Sequence, residues 1–452
     1  MKVFMLGWEF PPYISGGLGT ACYGMTKGLD EIGVDVAFVL PTAVPVSAVG
    51  HVSIRSPSNL LGGLGQDYAE ETRRVLRHVK LHQVPAALQA YASPGAHKLT
   101  LKELLALQAL AMKAGLLKAL APGQSAGALA PPSSGEMFVR GGGAQYNGDL
   151  IEQVRRYAAL AVELAAIESF DVVHAHDWMT YPAGVAVKNA TGKPLVVHVH
   201  STEFDRSGDN INQHVYDIER MGMHAADMVV CVSHLTRRIV TSRYGVPADK
   251  VEVVYNAVDV PESAGLEMKP IRPGEKIVLF LGRVTMQKGP EYFLRAAKKV
   301  VEKFKNVRFV IAGSGDMITR CIEEVAYLGI GRHVTFTGFL RGKDVDRVFQ
   351  IADLYVMPSV SEPFGIAPLE ALSHNVPVII SKQSGVSEVL THALKVDFWD
   401  IDEMANKILA VLRHAPLQRT LGQQGHIELQ KFSWRDSALQ LKEIYQRVSG
   451  HA

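Results

Sequence analysis

Short apolar runs recur along this chain and predict buried β-strands that are separated by helices. In the first half the predicted strands fall at residues 3–7, 36–40, 172–174, 195–200, 228–232 and 251–255. Strands this short and this apolar are typical of parallel sheets that helices cover on both faces. The first half therefore predicts one doubly wound α/β unit.

The same pattern starts again in the second half, with predicted strands at residues 277–282, 307–312, 334–337, 354–357 and 378–381. The two halves are separated by residues 259–274, where Pro261, Pro270 and Pro273 interrupt any periodic pattern. A chain of 452 residues is also too long for one typical domain. The sequence thus predicts two Rossmann-like α/β domains joined by a linker.

End signals place two helices, and one region departs from the alternating pattern. Residues 20–32 form a predicted helix that Gly33 closes, and Ser433-Trp-Arg-Asp436 fits a capping box opening a last amphipathic helix. Residues 84–150 are rich in Ala, Leu, Gly, Ser and Pro. We expect a helical excursion with a mobile loop in that region.

Composition and charge restrict the possible partners. The chain is 47% hydrophobic, which is enough for two full cores, and its net charge is only +2. No basic stripe accompanies that small excess, so we expect no nucleic-acid partner. Three well-separated cysteines, at positions 22, 231 and 321, cannot form a disulfide framework or a Cys-rich zinc site. Their number suggests a reducing compartment.

We expect a cytoplasmic protein without a membrane span. The N-terminus has one Lys and then a short apolar run broken by Gly7, Glu9 and Pro11, which is the pattern of a first strand and not of a signal peptide. The longest apolar-rich stretch, at residues 99–121, carries charges at positions 102, 103, 113 and 118. A membrane-spanning helix would not carry so many.

The most informative motif lies at residues 353–370, where a predicted buried strand ends at Pro358 and a helix starts near Ile366. The loop between them brings Glu362 to the carboxyl edge of the strand, and Glu370 falls in the first turns of the helix. In open α/β sheets ligands bind at this edge, where helix N-termini attract anions. The backbone can therefore hold a phosphate while both carboxylates bind hydroxyls, which suits a nucleotide-sugar.

Two cations occupy the loop after the first strand of the second half. Arg283 and Lys288 lie five residues apart and straddle a predicted strand-to-helix connection. Arg offers a rigid fork for phosphate and Lys a mobile point charge. Such a pair can neutralise a diphosphate leaving group, although most basic residues are simply solvated at the surface.

Two glycine-rich turns also follow predicted strands. Gly16 and Gly17 precede the first helix, where a backbone without side chains can approach a phosphate closely. Gly313 and Gly315 follow the strand that ends at residue 312. Each turn alone is weak evidence for nucleotide contact, because a plain tight turn explains it equally well.

Histidines suggest a competing interpretation, a metal site. His174 and His176 lie at the end of one predicted strand, and His198 and His200 at the end of another. Residues two apart share a face of a strand, so four imidazoles can converge on an ion, as in amidohydrolase-like hydrolases. An amidohydrolase barrel, however, would run its βα units without a mid-chain restart. No carboxylate motif for a binuclear centre is evident, so we expect no metal.

The segment Glu362-Pro-Phe-Gly365, followed by Glu370, resembles the E-x7-E element of retaining glycosyltransferases with the GT-B fold, such as glycogen and starch synthases. A downstream apolar strand at 377–380 and a Ser384-Gly385 turn add to the match. The resemblance covers nearly the whole chain outside residues 84–150.

The resemblance implies a domain plan. An acceptor-side Rossmann-like domain would span residues 1–262 and include the excursion at about 84–150. A nucleotide-sugar-binding Rossmann-like domain would span residues 274–430. Residues 431–452 would form a terminal helix that crosses back to the first domain. The two domains would face each other across a cleft.

The resemblance also implies roles for single residues. His200 would contact the donor sugar, and Asp177 would lie beside the sugar and the acceptor. Glu362 would bind hydroxyls of the sugar and Glu370 those of the ribose. The donor would further be held by Arg283, Lys288, Gly16, Gly17, Gly313, Gly315, Pro363, Phe364, Gly365, Ile366 and Ala367. Since protein cations and helix dipoles would replace a divalent ion, no metal or cofactor is implied.

Two details qualify the match. The first-strand loop resembles that of glycogen synthases, but Ile14 stands where those commonly carry Lys. This favours a relative outside the main bacterial glycogen synthase group. Asp344-Val-Asp346 looks like the metal-binding D-x-D of another glycosyltransferase fold, but it lies at a predicted helix start, where helix capping explains it better.

The implied function is a retaining transfer of glucose from ADP- or UDP-glucose to a growing α-1,4-glucan. An alternative within the fold is hexose transfer to a small sugar or a lipid-linked glycan. A third is the GT-B-fold epimerase of UDP-N-acetylhexosamine, which does not usually carry this E-P-F-G element. The fourth is a non-enzymatic glycan-binding protein, against which the joint presence of Glu362, His200, Arg283 and Lys288 argues. Donor base, acceptor length and oligomeric state stay open.

Overall fold

The computed structural model describes residues 1–10, 16–41, 79–83, 148–259 and 274–450. These residues form two parallel β-sheets with helices packed on them. Most of the predicted excursion at 84–150 lies outside the described residues, and so does Ile14. The first residue described after the gap, Gly148, begins a helix.

The first sheet has seven described strands in the order β3-β2-β1-β4-β5-β6-β7. All neighbouring pairs are parallel. The strands are β1 (Lys2–Leu6), β2 (Asp35–Leu40), β3 (Val79–Gln83), β4 (Val172–His176), β5 (Leu195–Val199), β6 (Met228–Cys231) and β7 (Val251–Val253). The strand order reverses between β1 and β4, so the loops after these strands open the crevice in which such sheets bind ligands.

The second sheet has six described strands in the order β10-β9-β8-β11-β12-β13, again all parallel. The strands are β8 (Lys276–Leu281), β9 (Val307–Ala312), β10 (Val334–Gly338), β11 (Leu354–Met357), β12 (Val378–Ser381) and β13 (Leu394–Val396). The order reverses between β8 and β11. The loops that carry Lys288 and Glu362 are therefore neighbours at the switch point.

Thirteen helices lie among the described residues, and short 3-10 turns join some of them to strands. In the first half they are α1 (Gly17–Glu31), α2 (Gly148–Ala165), α3 (Tyr181–Thr191), α4 (Glu203–Ser207), α5 (Gln213–Ala225) and α6 (His234–Arg243). In the second half they are α7 (Pro290–Lys303), α8 (Ile318–Tyr327), α9 (Lys343–Gln350), α10 (Ala367–Ser373), α11 (Ile401–Arg413), α12 (Ala415–Glu428) and α13 (Trp434–Ser449).

The two Rossmann-like units predicted from the apolar pattern are confirmed, and most strand ends agree within two residues. Strands β3 and β13 were not predicted. Leu394–Val396 is too short to show a period of its own, and it is a strand because it pairs with β12. Helix α1 begins at Gly17, three residues before the predicted start. The run of glycines predicts a turn there, whereas Gly16 is the N-cap of the helix, a position that glycine also favours.

The last helix, α13, packs against α1 of the first unit. The Trp434 ring is buried, and a methyl group added at Gly24 of α1 would lie 2.0 Å from it. Ser433 caps α13, but its hydroxyl accepts the N–H of Arg435 at 3.2 Å and not that of Asp436, so the expected capping box is replaced by a simple N-cap.

Three apolar clusters form the core, and one of them is shared by the two units. It contains Met5 and Val230 of the first sheet together with Leu279 of the second and Trp434 of α13. The other two clusters cover the opposite faces of the first and the second sheet. Burial of a shared apolar layer favours association of the two units. Among the described helices, none is both long and apolar enough to cross a membrane.

Candidate active site

The loop that carries Glu362 is held by the neighbouring loop that follows β12. The N–H of Glu362 donates to the carbonyl of Gln383 at 2.9 Å, and the N–H of Gly385 donates to the carbonyl of Glu362 at 2.9 Å. The N–H of Val386 donates to the carbonyl of Phe364 at 2.8 Å. Backbone bonds of this kind fix the loop at the carboxyl edge of the second sheet, with the Glu362 side chain buried.

Lys288 and Glu362 meet although 74 residues separate them. Lys288 Nζ lies 2.5 Å from Glu362 Oε2, and the hydroxyl of Ser359 donates to the same oxygen at 3.1 Å. The Lys288 side chain is 22% exposed and that of Glu362 is 8% exposed. The pair is therefore largely desolvated, and each charge stabilises its partner in a place that water hardly reaches.

A tight backbone contact brings this pair together. Lys288 ends a 3-10 turn after β8, and Gly289 follows with φ 65°. A Cβ at Gly289 would lie 2.2 Å from the carbonyl oxygen of Pro358 at the end of β11. The N–H of Val360 also donates to the carbonyl of Gln287 at 2.9 Å. Glycine is required at position 289 because the turn touches the neighbouring strand through its backbone.

Arg283 lies in the same loop as Lys288 and is half-buried. It makes no ion pair or side-chain hydrogen bond with any other residue that the structure describes, so its guanidinium is available to a ligand. The loop is braced by the N–H of Val284, which donates to the carbonyl of Ser314 at 2.9 Å. A Cβ at Gly313 would lie 1.9 Å from the carbonyl oxygen of Gly282. Close packing thus explains the Gly313-Ser-Gly315 turn without a nucleotide.

Glu370 lies in the first turn of α10, as predicted, and Ile366 is the residue before that helix. Burial and, to a smaller extent, the charge of Asp346 together raise the pKa of Glu370 to about 7. Part of the side chain reaches a cavity of about 200 Å³ between the two units, lined also by Tyr23 and Trp434. The carboxyl that faces this cavity is therefore about half-ionised near neutral pH.

Asp177 follows β4 and holds the backbone of His200. Its Oδ1 accepts the N–H of His200 at 2.7 Å and the N–H of Ser201 at 3.3 Å. Asp177 has φ 58°, a left-handed conformation that is uncommon for a residue other than glycine. Burial raises the pKa of Asp177 to about 7, against the opposing effect of the Arg206 charge. The contacts of Oδ1 are those of a residue that shapes the turn after β5.

The four histidines of the competing interpretation form a stacked group on one face of β4 and β5. Ring centroids of His174 and His176 lie 4.3 Å apart, as do those of His198 and His200. His176 Nδ1 lies 2.9 Å from His200 Nε2, and His174 Nδ1 lies 2.5 Å from the hydroxyl of Tyr445. Burial lowers the pKa of all four rings, to about 3 for His174 and His200. The rings are therefore neutral at neutral pH.

The group offers nitrogen ligands, but the planes of two of its rings are nearly parallel. One nitrogen each of His174, His176 and His198 lies within 4.8 Å of the others, and Cys22, His176 and His200 form a second such set. Lone pairs lie in the ring planes, and the His174 and His198 planes differ by only 6°. Parallel rings direct their lone pairs side by side, whereas a tetrahedral ion needs them to converge on one point.

Gly16 and Gly17 lie at the start of α1, beside the carboxyl end of β1. Gly16 is the N-cap and makes no side-chain cap, and a Cβ at either glycine would meet nothing within 4 Å. No described residue therefore fills the space beside either Cα. Packing against the described residues does not require glycine at either position.

The D-x-D motif lies in the first turn of α9, after Gly342 as N-cap. Neither aspartate caps the helix, so the predicted capping role is wrong. Asp344 pairs instead with Arg347 at 2.9 Å, and Asp346 lies 3.7 Å from Nε2 of His374. Acidic residues in a first turn are favoured by the helix dipole, which explains the pair without a metal.

Three contacts across the two units were not predicted. The hydroxyl of Ser361 donates to Asp205, and the hydroxyl of Ser233 donates to the carbonyl of Pro363 at 2.5 Å. The Glu388 carboxylate accepts the N–H groups of His234 and Leu235 at the start of α6, at 2.9 and 2.6 Å. Thr202-x-x-Asp205 carries a capping-box pattern, which the structure contains. No local pattern reveals that Asp205 also reaches the other unit.

Comparison with known families covers nearly the whole chain. The model of glycosyl transferases group 1 matches residues 267–427, that of glycosyltransferase family 4 matches residues 130–262, and that of the starch synthase catalytic domain matches residues 2–89. An uncharacterized glycosyltransferase of Methanocaldococcus jannaschii is 33% identical over 301 residues, which are 62% of this chain and 76% of that protein. A D-inositol 3-phosphate glycosyltransferase of Mycobacterium tuberculosis is 27% identical over 67% of each chain.

Solved structures give the same fold. Sucrose-phosphate synthase from Thermosynechococcus elongatus superposes with a TM-score of 0.69 at 18% identity, covering 100% of both chains. Anabaena HepE, solved in complex with UDP and glucose, superposes with a TM-score of 0.64 at 16% identity, covering 99% of this chain and 100% of that one. The chain therefore belongs to the glycosyltransferases with the GT-B fold, as the E-x7-E resemblance implied. It is an enzyme of that class.

Proposed function

We propose that this glycosyltransferase moves glucose from ADP- or UDP-glucose to a growing α-1,4-glucan, with retention of the anomeric configuration. The observation that carries the proposal is the contact of Lys288 with Glu362. It combines a cation for a diphosphate and a carboxylate for sugar hydroxyls at the switch point of the second sheet. A nucleotide-sugar presents a diphosphate and sugar hydroxyls to such a pair.

The other predicted donor contacts fit around this pair. Arg283 is unpaired among the described residues and would bind the diphosphate through its two-pronged guanidinium. The Glu370 carboxylate would accept hydrogen bonds from the ribose hydroxyls inside the cavity between the units. His200, at the end of β5 in the opposite unit, would reach the sugar. The complex of HepE with UDP and glucose supports a nucleotide-glucose as donor.

Transfer would proceed by attack of an acceptor hydroxyl on the anomeric carbon from the face that the diphosphate leaves. The new C–O bond forms while the bond to the diphosphate oxygen breaks, and the hydroxyl proton passes to that departing oxygen. Lys288 and Arg283 would stabilise the negative charge that develops on the leaving group. These protein cations take the place of a divalent ion, so we propose that transfer needs no metal. Closure of the two units would exclude water that otherwise hydrolyses the donor.

A glucan acceptor is supported by the starch synthase catalytic domain match at residues 2–89. The second candidate is a small acceptor. Two similarities favour it, namely the relative named D-inositol 3-phosphate glycosyltransferase and the superposition on sucrose-phosphate synthase. Both candidates use the same donor chemistry, so they differ only in what the first unit binds.

A panel of nucleotide-glucoses tests the proposal, with glycogen, a set of small sugars and sugar phosphates, or no acceptor. Diphosphate release that depends on glycogen supports the glucan synthase. Release only with a small acceptor supports the second candidate, and sugar conversion without release would indicate an epimerase. Tight glycan binding without any turnover would contradict all of these. The α configuration of the product, read by proton NMR, tests retention.

Metal dependence is measured in the same assay. Dialysis against EDTA is expected to leave the rate unchanged, because the leaving group is bound by side chains. A rate that disappears with EDTA and returns with Mg²⁺ or Mn²⁺ would contradict the metal-free mechanism.

A further inference from the structure

The contact between the rings of His176 and His200 also constrains which nitrogen of each ring carries a proton. His176 is fully buried in the first unit, whereas His200 is half-buried at the end of the next strand. Their nitrogens Nδ1 and Nε2 lie 2.9 Å apart. A neutral imidazole carries one N–H and one lone pair, so one ring must donate and the other must accept.

The surroundings of His176 decide which ring donates. Its other nitrogen, Nε2, is buried and has no hydrogen-bond partner among the residues that the structure describes. If His176 accepted at Nδ1, its proton would stand on Nε2 as a buried N–H without an acceptor. If His176 donates from Nδ1, Nε2 keeps an unpaired lone pair instead. Buried N–H groups without acceptors are the rarer of the two in folded proteins.

We propose that His176 is a positioning residue that donates from Nδ1 to Nε2 of His200 and so holds the proton of His200 on Nδ1. The free nitrogen of His200 is then a hydrogen-bond donor, suited to a hydroxyl oxygen of the bound sugar. This inference rests on the proposed role of His200 as a donor-sugar contact. Histidine tautomers are generally set in this way, by the bond that the opposite nitrogen makes.

Two consecutive residues then hold His200 from the end of β4. His176 binds its ring, and Asp177 binds its backbone N–H at 2.7 Å. The register of the strands brings them together, because His176 pairs with His198 across the β4–β5 ladder. Residue 200 lies two positions after His198, immediately past the end of β5, and its ring stacks on that of His198. The ring therefore has both its orientation and its proton defined before substrate binds.

Nuclear magnetic resonance on protein labelled with ring-¹⁵N histidine tests the tautomer directly, with His200 assigned by its loss in His200→Gln. A nitrogen that carries a proton and one that does not give separate signals, and their couplings to the ring protons tell Nδ1 from Nε2. We expect His200 to carry its proton on Nδ1. A proton on Nε2 of His200 in the unsubstituted protein would overturn the proposal.

Three variants separate positioning from a general packing role. His176→Asn keeps an N–H near the place of Nδ1, and His176→Leu removes it. His198→Leu is the matched control, because His198 is equally buried but bonds neither nitrogen to a described residue. We expect His176→Leu to populate the Nε2–H form of His200 and to lower kcat with the best nucleotide-glucose about tenfold, the equivalent of one hydrogen bond. His176→Asn should retain the tautomer and most of kcat.

The remaining outcomes are also decisive. An unchanged His200 tautomer in His176→Leu, or the same tautomer change in His198→Leu, would overturn the proposal. Stoichiometric zinc in the purified protein would do so as well, since an ion would occupy these nitrogens. If the tautomer behaves as expected but no nucleotide-glucose reacts, the positioning of His200 stands and the proposed function fails.

Discussion

The hydroxyl of Ser361 donates a 2.6 Å hydrogen bond to Oδ1 of Asp205, and this bond joins the two units beside the candidate site. Ser361 immediately precedes Glu362, and Asp205 lies in the short helix α4 that follows His200. Asp205 is 2% exposed, and its Oδ2 accepts both the N–H and the hydroxyl of Thr202 at 2.7 Å. The bond therefore couples the segment that carries Glu362 to the segment that carries His200, the two residues expected to contact the sugar.

Removing this bond should reduce transfer more than it reduces stability. Ser361→Ala leaves Asp205 with its two bonds from Thr202, so the folded protein should persist. The bond joins the two units beside the site, so its loss should impair their closed arrangement, and we expect kcat/KM for the donor to fall about tenfold, equivalent to about 1.4 kcal/mol. Steady-state kinetics and denaturant unfolding measure the two effects. Ser242→Ala is the control, because the Ser242 hydroxyl bonds only to the nearby carbonyl of Arg238 at 2.6 Å. Equal effects of both substitutions would contradict the coupling.

Two variants distinguish what the ion pair of Lys288 and Glu362 contributes to stability from what Lys288 contributes to donor binding. Lys288→Met should lower the free energy of unfolding by about 3 kcal/mol, because it leaves a buried carboxylate without its partner. Adding Glu362→Gln to Lys288→Met should recover most of that loss. It should not recover UDP affinity, since no cation returns. Denaturant unfolding and calorimetric titration with UDP give both quantities. Recovered UDP affinity in the double variant would contradict the assignment of Lys288 to the diphosphate.

Glu370 should make donor binding depend on pH near neutrality. Its pKa is about 7, so the group ionises as the pH rises through that value. The ionised form would accept hydrogen bonds from the ribose hydroxyls. We expect affinity for UDP-glucose to rise with pH across this range and to become flat in Glu370→Gln. Asp346→Asn removes a neighbouring negative charge, so it should lower the pKa of Glu370 and move the inflection to lower pH. An inflection unmoved by either substitution would exclude Glu370 as its source.

The Glu370 carboxyl should make stability fall as the pH rises, whereas it makes donor affinity rise. Its folded-state pKa of about 7 lies above the ordinary value of 4.5, so between these values the folded protein binds more protons than the unfolded chain. The contribution of Glu370 to the free energy of unfolding therefore falls as the pH rises through this window. Glu370→Gln should lose less stability than the unsubstituted protein from about pH 5 to about pH 8. Thermal unfolding at both pH values measures the difference.

The hydroxyl of Tyr445 should contribute to stability by binding a buried histidine. Tyr445 is fully buried in α13, and Tyr445→Phe would leave Nδ1 of His174 without its 2.5 Å partner. A buried polar atom that loses its partner costs about 1–3 kcal/mol, which denaturant unfolding can measure. Tyr327→Phe is the matched control, because Tyr327 is 87% exposed. Similar unfolding free energies for the two variants would mean that the His174 contact contributes nothing.

The local pattern of apolar and turn residues was sufficient to predict the two-sheet architecture. Apolar runs of three to six residues predicted the central strands of both sheets, because a strand buried on both faces is apolar at nearly every position. The edge strand Leu394–Val396 escaped prediction, since a three-residue strand shows no period and depends on its pairing with β12. The start of α1 at Gly17 also escaped, because a glycine-rich turn and a helix that begins after a glycine N-cap look alike in sequence.

The two-unit fold and the residue types of the site could be predicted from the chain alone, because burial, turn chemistry and the E-P-F-G motif are all local. The tertiary structure sets which of these residues meet. It pairs Lys288 with Glu362, unites Ser361 with Asp205, stacks four histidines and leaves Arg283 unpaired among the described residues. Such contacts depend on how two sheets and their crossing helix pack, and packing between distant segments leaves no periodic trace in the chain.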